Sequence, residues 1–123
     1  MARHLAFYVV ETIYGTTCPR AILDIPENPS FNARVEGLNP RPVPAGFCME
    51  VTLGDEPHEV TARISRDVHG RSLRWLFASE LSGLTADGTK DYNDSDLPAR
   101  AALAYVSTIA SQHPDLPVIV YWI

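Results

Sequence analysis

Cys18 is the residue best suited by type to covalent chemistry in this chain. It stands in Thr16-Thr17-Cys18-Pro19-Arg20, behind an apolar run and ahead of a basic side chain. The thiolate is the nucleophilic form of cysteine, and a nearby cation or a helix N-terminus favours it. With Arg20 holding an anion beside it, Cys18 is the candidate reactive thiol. The competing expectation is a turn cysteine between two strands.

Cys18-Pro19 is similar to the start of the Cys-Pro-x-Cys helix of glutaredoxins and thioredoxins, but only over about five residues. Ala21 replaces the second cysteine, Pro26 leaves no room for a useful helix, and no βαβ unit follows. Asp24 stands where the Cys-x5-Arg loop of a cysteine phosphatase needs its arginine. The four histidines, His4, His58, His69 and His113, fall at expected element ends or turns, without helical i, i+4 spacing. No metal site and no cofactor is expected from them. Phosphate-cradling glycine loops, nucleophile elbows and paired carboxylates on one element are also missing.

Two charged groups stand out. Asp87, Asp91, Asp94 and Asp96 alternate with Asn93 and Ser95, which invites a calcium reading. The pattern departs from an EF-hand, with Asp96 where glycine is required and Ala102 where glutamate is. It reads instead as a solvated acidic loop whose last residues cap the following helix. Arg63, Arg66, Arg71 and Arg74, with His69, concentrate positive charge on one expected hairpin. Arg63 and Arg74 point away from the core by alternation, unless they simply cover the sheet and pair with Glu50 and Glu59. Opposite patches of this kind suit steering toward a charged partner. Arg63, Arg66, Arg71, Arg74, Asp87, Asp91 and Asp94 are therefore the candidate partner-binding residues, with the 38–46 loop as a further contact.

These residues must be positioned by a small number of elements. Residues 4–13 and 117–123 are apolar on both faces, as central strands are. Residues 20–25 alternate, with Ala21, Leu23 and Ile25 on one face and Ile22 and Asp24 on the other. Residues 26–46 carry five prolines and read as a stiff loop with a short edge strand at 31–36. The segments 47–53, 58–66 and 71–78 alternate between turns and read as an antiparallel meander, with Val60, Ala62 and Ile64 inward in its middle strand. Residues 79–95 read as a loop. Residues 96–112 form the expected helix, with Leu103, Val106, Ile109 and Ala110 on one face, ended by His113-Pro114.

The expected fold is α+β, a mainly antiparallel sheet of five or six strands. One helix packs on a face and the C-terminal strand lies inside the sheet. At 123 residues with a net charge of −5, the chain reads as one domain, and nucleic acid is not the expected partner. No apolar run approaches the ~20 residues of a membrane span. No cleavage site follows the N-terminal apolar stretch, so a cytoplasmic protein with free thiols is expected. The functional expectation is a non-catalytic protein-binding domain, of the kind phages and mobile elements encode as inhibitors, anti-CRISPR proteins among them. A toxin-immunity protein is one alternative, and a small enzyme or ligand-binding domain using Cys18 is another. Tyr8, Tyr121 or Trp122 on a second sheet face would allow a homodimer.

Overall fold

The computed structural model describes residues 4–26, 29–54, 56–84 and 97–123. Asp87, Asp91 and Asp94, the calcium reading of their loop and the cap at Ser95 or Asp96 lie outside the described residues.

The fold is α+β. Its strands are β1 (Leu5–Val9), β2 (Thr16–Thr17), β3 (Ala21–Ile25), β4 (Arg41–Pro42), β5 (Cys48–Leu53), β6 (Val60–Ile64), β7 (Arg74–Phe77) and β8 (Pro117–Trp122). Its helices are α1 (Pro29–Gly37), α2 (Ala78–Ser82) and α3 (Leu97–Gln112). The larger sheet has the order β3-β1-β8-β7-β4 and is antiparallel throughout. The smaller one has the order β2-β5-β6, with β2 parallel to β5 and β6 antiparallel to it.

The pleat of the larger sheet explains its layers. Along β1 and β8, Leu5, Phe7, Val9, Val118, Val120 and Trp122 face the helices. Phe31 and Val35 of α1, Leu81 of α2, and Ala102, Leu103 and Val106 of α3 meet them there. The alternate residues, among them Tyr8, Ile119 and Tyr121, face the smaller sheet and its Met49 and Val51. The two apolar-on-both-faces segments are therefore central strands with one layer on each side. Burying both faces of a sheet in this way removes the greatest apolar area per strand, at roughly 25 cal/mol per Å².

Three expectations are corrected. Residues 29–37 are a helix rather than a loop with an edge strand. Pro29 begins it, where no intrahelical N–H is required. Phe31 and Val35, four residues apart, fall on one face and are fully buried. The prolines flank this helix instead of interrupting it. Residues 79–82 likewise leave the expected loop, and Ala78 the expected strand, to form α2, which buries Ala78 and Leu81. The third correction concerns the meander. β5 and β6 pair, but β7 belongs to the larger sheet, between β8 and β4. The chain crosses from one sheet to the other through a single bridge, Arg66 to Ser72, and the bond from the Leu73 amide to the Ser65 carbonyl at 3.2 Å. Local alternation is the same in both sheets. It differs in Leu76, which packs under the helices while Trp75 faces the smaller sheet. Coverage of β6 fades along its length: Ala62 and Ile64 are half-buried, but Val60 is 61% exposed rather than inward. Among the described residues no helix is long and apolar enough to cross a membrane.

Candidate functional site: an acidic, aromatic groove at one end of the larger sheet

Four strand ends meet at one rim of the larger sheet: the exit of β1, the entry of β3, the exit of β7 and the entry of β8. Backbone bonds fix this rim. The Val10 amide donates to the Pro117 carbonyl (3.1 Å) and the Arg20 amide to the Val9 carbonyl (2.7 Å). The turn between α3 and β8 is tied to the start of α2, because the Ala78 and Ser79 amides donate to the Leu116 (2.9 Å) and Pro114 (3.1 Å) carbonyls. Three hollows open along the rim, of about 290, 290 and 310 Å³, and Glu11 lines all three. Two of them carry basic groups: Arg20 and His113 in one, His113 in the other. Arg20 is ion-paired with Glu11.

The remaining hollow differs. Glu11, Tyr14, Trp75, Phe77 and Asp115 line it, with Thr12, Ile13 and Pro117, and among the described residues no basic side chain does. Trp75 and Phe77 stand edge to face, with ring centroids 4.8 Å apart and an interplanar angle of 89°. Tyr14 is 70% exposed. Carboxylates and aromatic rings lining one hollow attract a cation twice, by charge and by the negative ring faces, although Glu11 is already paired with Arg20. The molecule itself uses the same rings in this way. The Arg41 guanidinium lies 5.0 Å from the Trp75 centroid and 5.1 Å from that of Phe77.

Arg41 is held over the rings by Glu80. Its Nη1 donates to Oε1 at 2.6 Å and its Nη2 to Oε2 at 3.2 Å. Glu80 Oε1 also accepts the Phe77 amide at 3.0 Å. Burial acts to raise the Glu80 carboxyl, but the Arg41 guanidinium and the Phe77 amide outweigh it and hold it below the ordinary carboxylate range. This clasp joins β4 to α2 across 39 residues of sequence. On the same sheet face Tyr8 and Tyr121 meet edge to face at 5.4 Å. Burial pushes both hydroxyls above their usual range; Tyr121 and Asp24 add to the effect on Tyr8, and Asp67 to that on Tyr121.

The residues singled out in the sequence do not converge here. Arg63 and Arg74 lie on strands of different sheets, and Arg66 and Arg71 lie in the connection between those strands. Arg63 lies on β6, where its Nε donates to Glu50 Oε1 at 3.1 Å. Arg66 Nη1 donates to the Gly70 carbonyl at 2.8 Å within the turn. In that turn Asp67 Oδ1 accepts the His69 and Arg71 amides at 2.9 and 3.1 Å, and Gly70 has a positive φ of 78°. Arg71 and Arg74 border a hollow of about 40 Å³ shared with Glu36 and Asp67. Carboxylates are thus interleaved with Arg63, Arg71 and Arg74. Cys18 is exposed, and its Sγ donates to Glu50 Oε2 at 3.7 Å. Its partner is an anion already bound to Arg63, while Arg20 turns to Glu11. Cys48 is half-buried, with Sγ 3.1 Å from Thr16 Oγ1. Among the described residues no three of His, Cys, Asp and Glu are grouped so that they could hold a metal ion.

Glu11, Asp115 and the ring pair escaped sequence reasoning because they come from three separate segments. The one local hint was an acid closing an apolar strand, Val9-Val10-Glu11. Scanning against protein-family models, and searching curated proteins and solved structures, finds no match to this chain.

Proposed function

We propose that this protein is a non-catalytic binding domain that takes a cationic side chain of a protein partner, arginine or lysine, into the groove of Glu11, Asp115, Tyr14, Trp75 and Phe77. The carrying observation is the composition of that hollow: two acids, one of them paired with Arg20, three aromatic rings and, among the described residues that line it, no basic side chain, on a rim joined by backbone hydrogen bonds. A preformed rim reduces the ordering that binding would otherwise require. Arg41 on the same rings is an intramolecular example of the contact. The net charge of −5 favours the approach of a basic partner.

The test uses N-acetyl-arginine amide and N-acetyl-glutamate amide as probes, observed on the Trp75 indole N–H by NMR. A single side chain should bind in about the millimolar range. The arginine probe should shift the indole signal saturably, less so at high salt, and not at all in the Glu11→Gln/Asp115→Asn variant. A shift produced by the glutamate probe, or none by either, overturns the reading.

A further inference from the structure

The two edges of the larger sheet are built differently. At one edge β4 is two residues long, contains Pro42 and lies between Pro40 and Pro44. Proline removes ladder donors, and the Arg41–Glu80 clasp lies over the same strand, so this edge is closed to further pairing. At the other edge β3 is five residues long and, among the described residues, pairs only with β1. Ile22, at its centre, is 55% exposed. An open edge strand with an exposed isoleucine at its middle is a template for another strand.

We propose that the occupant of this edge is β3 of a second copy of the chain, paired antiparallel about a twofold axis through Ile22. The register follows from the sequence. A twofold perpendicular to the sheet keeps the helices of both copies on one side. It must pass through a residue, because facing residues share a side of the pleat. Centred on Ile22, the pairing brings Arg20 of each copy alongside Asp24 of the other, Ala21 opposite Leu23, and the two Ile22 side chains together. Centred on Ala21, Arg20 would face Ile22; centred on Leu23, Asp24 would face Ile22. Only the Ile22-centred register is complementary in both charge and hydropathy. Pro19 and Pro26, which lack amide hydrogens, bound the ladder at both ends.

Both charges are placed for this role. Asp24 is 66% exposed on the side chain, with His4 Nε2 at 3.7 Å and the Tyr8 hydroxyl also within electrostatic reach. Arg20 is 65% exposed on the side chain. Its guanidinium carries five donors, so it can serve Glu11 within its own chain and Asp24 of the partner together. β6, an outer strand of the smaller sheet, also places opposite charges four residues apart, Glu59 and Arg63, but its pairing would centre on Thr61. Arg63 there is committed to Glu50 at 3.1 Å. An exposed isoleucine gains by leaving water, and a threonine hydroxyl does not.

The experiment is light scattering after size exclusion, on the full chain at concentrations rising to about 1 mM, the weak end of specific association. The expected result is a mass that climbs toward twice that of the chain. Arg20→Asp and Asp24→Arg should each abolish dimerisation, by facing two acids or two guanidinium groups across the axis. An equimolar mixture of these two variants should dimerise again, because every facing pair in the mixed dimer is then opposite in charge. Ile22→Lys should give a folded monomer, checked by circular dichroism, while Arg63→Glu on β6 should leave the dimer intact. A native chain that stays monomeric at the highest concentration overturns the proposal. So does a dimer that survives Arg20→Asp and Ile22→Lys, or one that dissolves with Arg63→Glu alone.

Discussion

The Arg41–Glu80 clasp makes a quantitative prediction. Arg41→Ala removes a two-pronged ion pair whose carboxylate side chain is 28% exposed, and with it a guanidinium over two aromatic rings. Surface ion pairs contribute up to about 1 kcal/mol, with bidentate, partly buried ones at the upper end. An exposed cation–π contact adds ~0.5–1 kcal/mol. The loss should therefore be about 1.5–2 kcal/mol. An unfolding entropy of about 2.1 cal/mol/K per residue over 123 residues corresponds to about 4 °C per kcal/mol, so the Tm should fall by about 6–8 °C. Glu80→Gln keeps an acceptor for the Phe77 amide while removing the charge. A double-mutant cycle of Arg41→Ala with Glu80→Gln, by urea unfolding at neutral pH, should give a coupling of about 1 kcal/mol. The coupling should also be acid-sensitive. The folded-state pKa of Glu80 is lowered, so its contribution is present above the ordinary glutamate value of about 4.3 and is lost as pH falls through the lower folded value. Arg41→Ala within about 0.3 kcal/mol of wild type, or a coupling unchanged at about pH 2, would refute the clasp as a stabilising contact.

Three further outcomes are expected. Gly54 has φ +87°, and a Cβ there would lie 2.9 Å from the His58 carbonyl oxygen, while Gly70, at φ +78°, has open space around it. Alanine at Gly70 should cost about 1 kcal/mol and at Gly54 clearly more, so equal losses in denaturant unfolding would contradict the close approach. The raised folded-state values of Tyr8 and Tyr121 mean that the unfolded chain loses these protons first. Stability should decline as pH rises above about 10 and toward the folded values; a decline that persists undiminished in the Tyr8→Phe/Tyr121→Phe variant assigns it elsewhere. Iodoacetamide should label exposed Cys18 well before half-buried Cys48 in the native protein, read by intact-mass spectrometry, and simultaneous labelling would contradict their placement.

What could be read from the sequence was whatever depends on a run of neighbours. Residues 4–13 and 117–123 announce central strands by being apolar on both faces, and the pairings of β1 with both β3 and β8 agree. The face of α3 is equally local: Leu103 and Val106 are buried where the periodicity places them. α1 is hidden because the prolines of residues 26–46 suggest a stiff loop where they in fact delimit a helix, and two buried residues, Phe31 and Val35, make a short pattern. The division of residues 47–78 between two sheets depends on which strand lies beyond the next turn, and alternation is blind to that. The groove is less legible still. Glu11, Trp75 and Asp115 are brought together only by the order β1-β8-β7, and the clasp joins residues 39 apart. Arg63 and Arg74 are exposed as alternation places them, but their separation follows from the same sheet crossing.

That strand order also bears on time. β8 lies between β1 and β7, so Leu5 pairs with Trp122 and Val9 with Val118. During synthesis from the N-terminus, β3 and β1 can pair early, but one long side of β1 and one of β7 stay without their neighbour until residues 117–122 have left the ribosome. The larger sheet then closes in one late event that joins positions more than a hundred residues apart. Such non-local closure is slow, on the order of milliseconds to seconds in domains dominated by β pairing. Until then the nascent chain presents unpaired apolar strands, and their protection falls to the cell rather than to the fold.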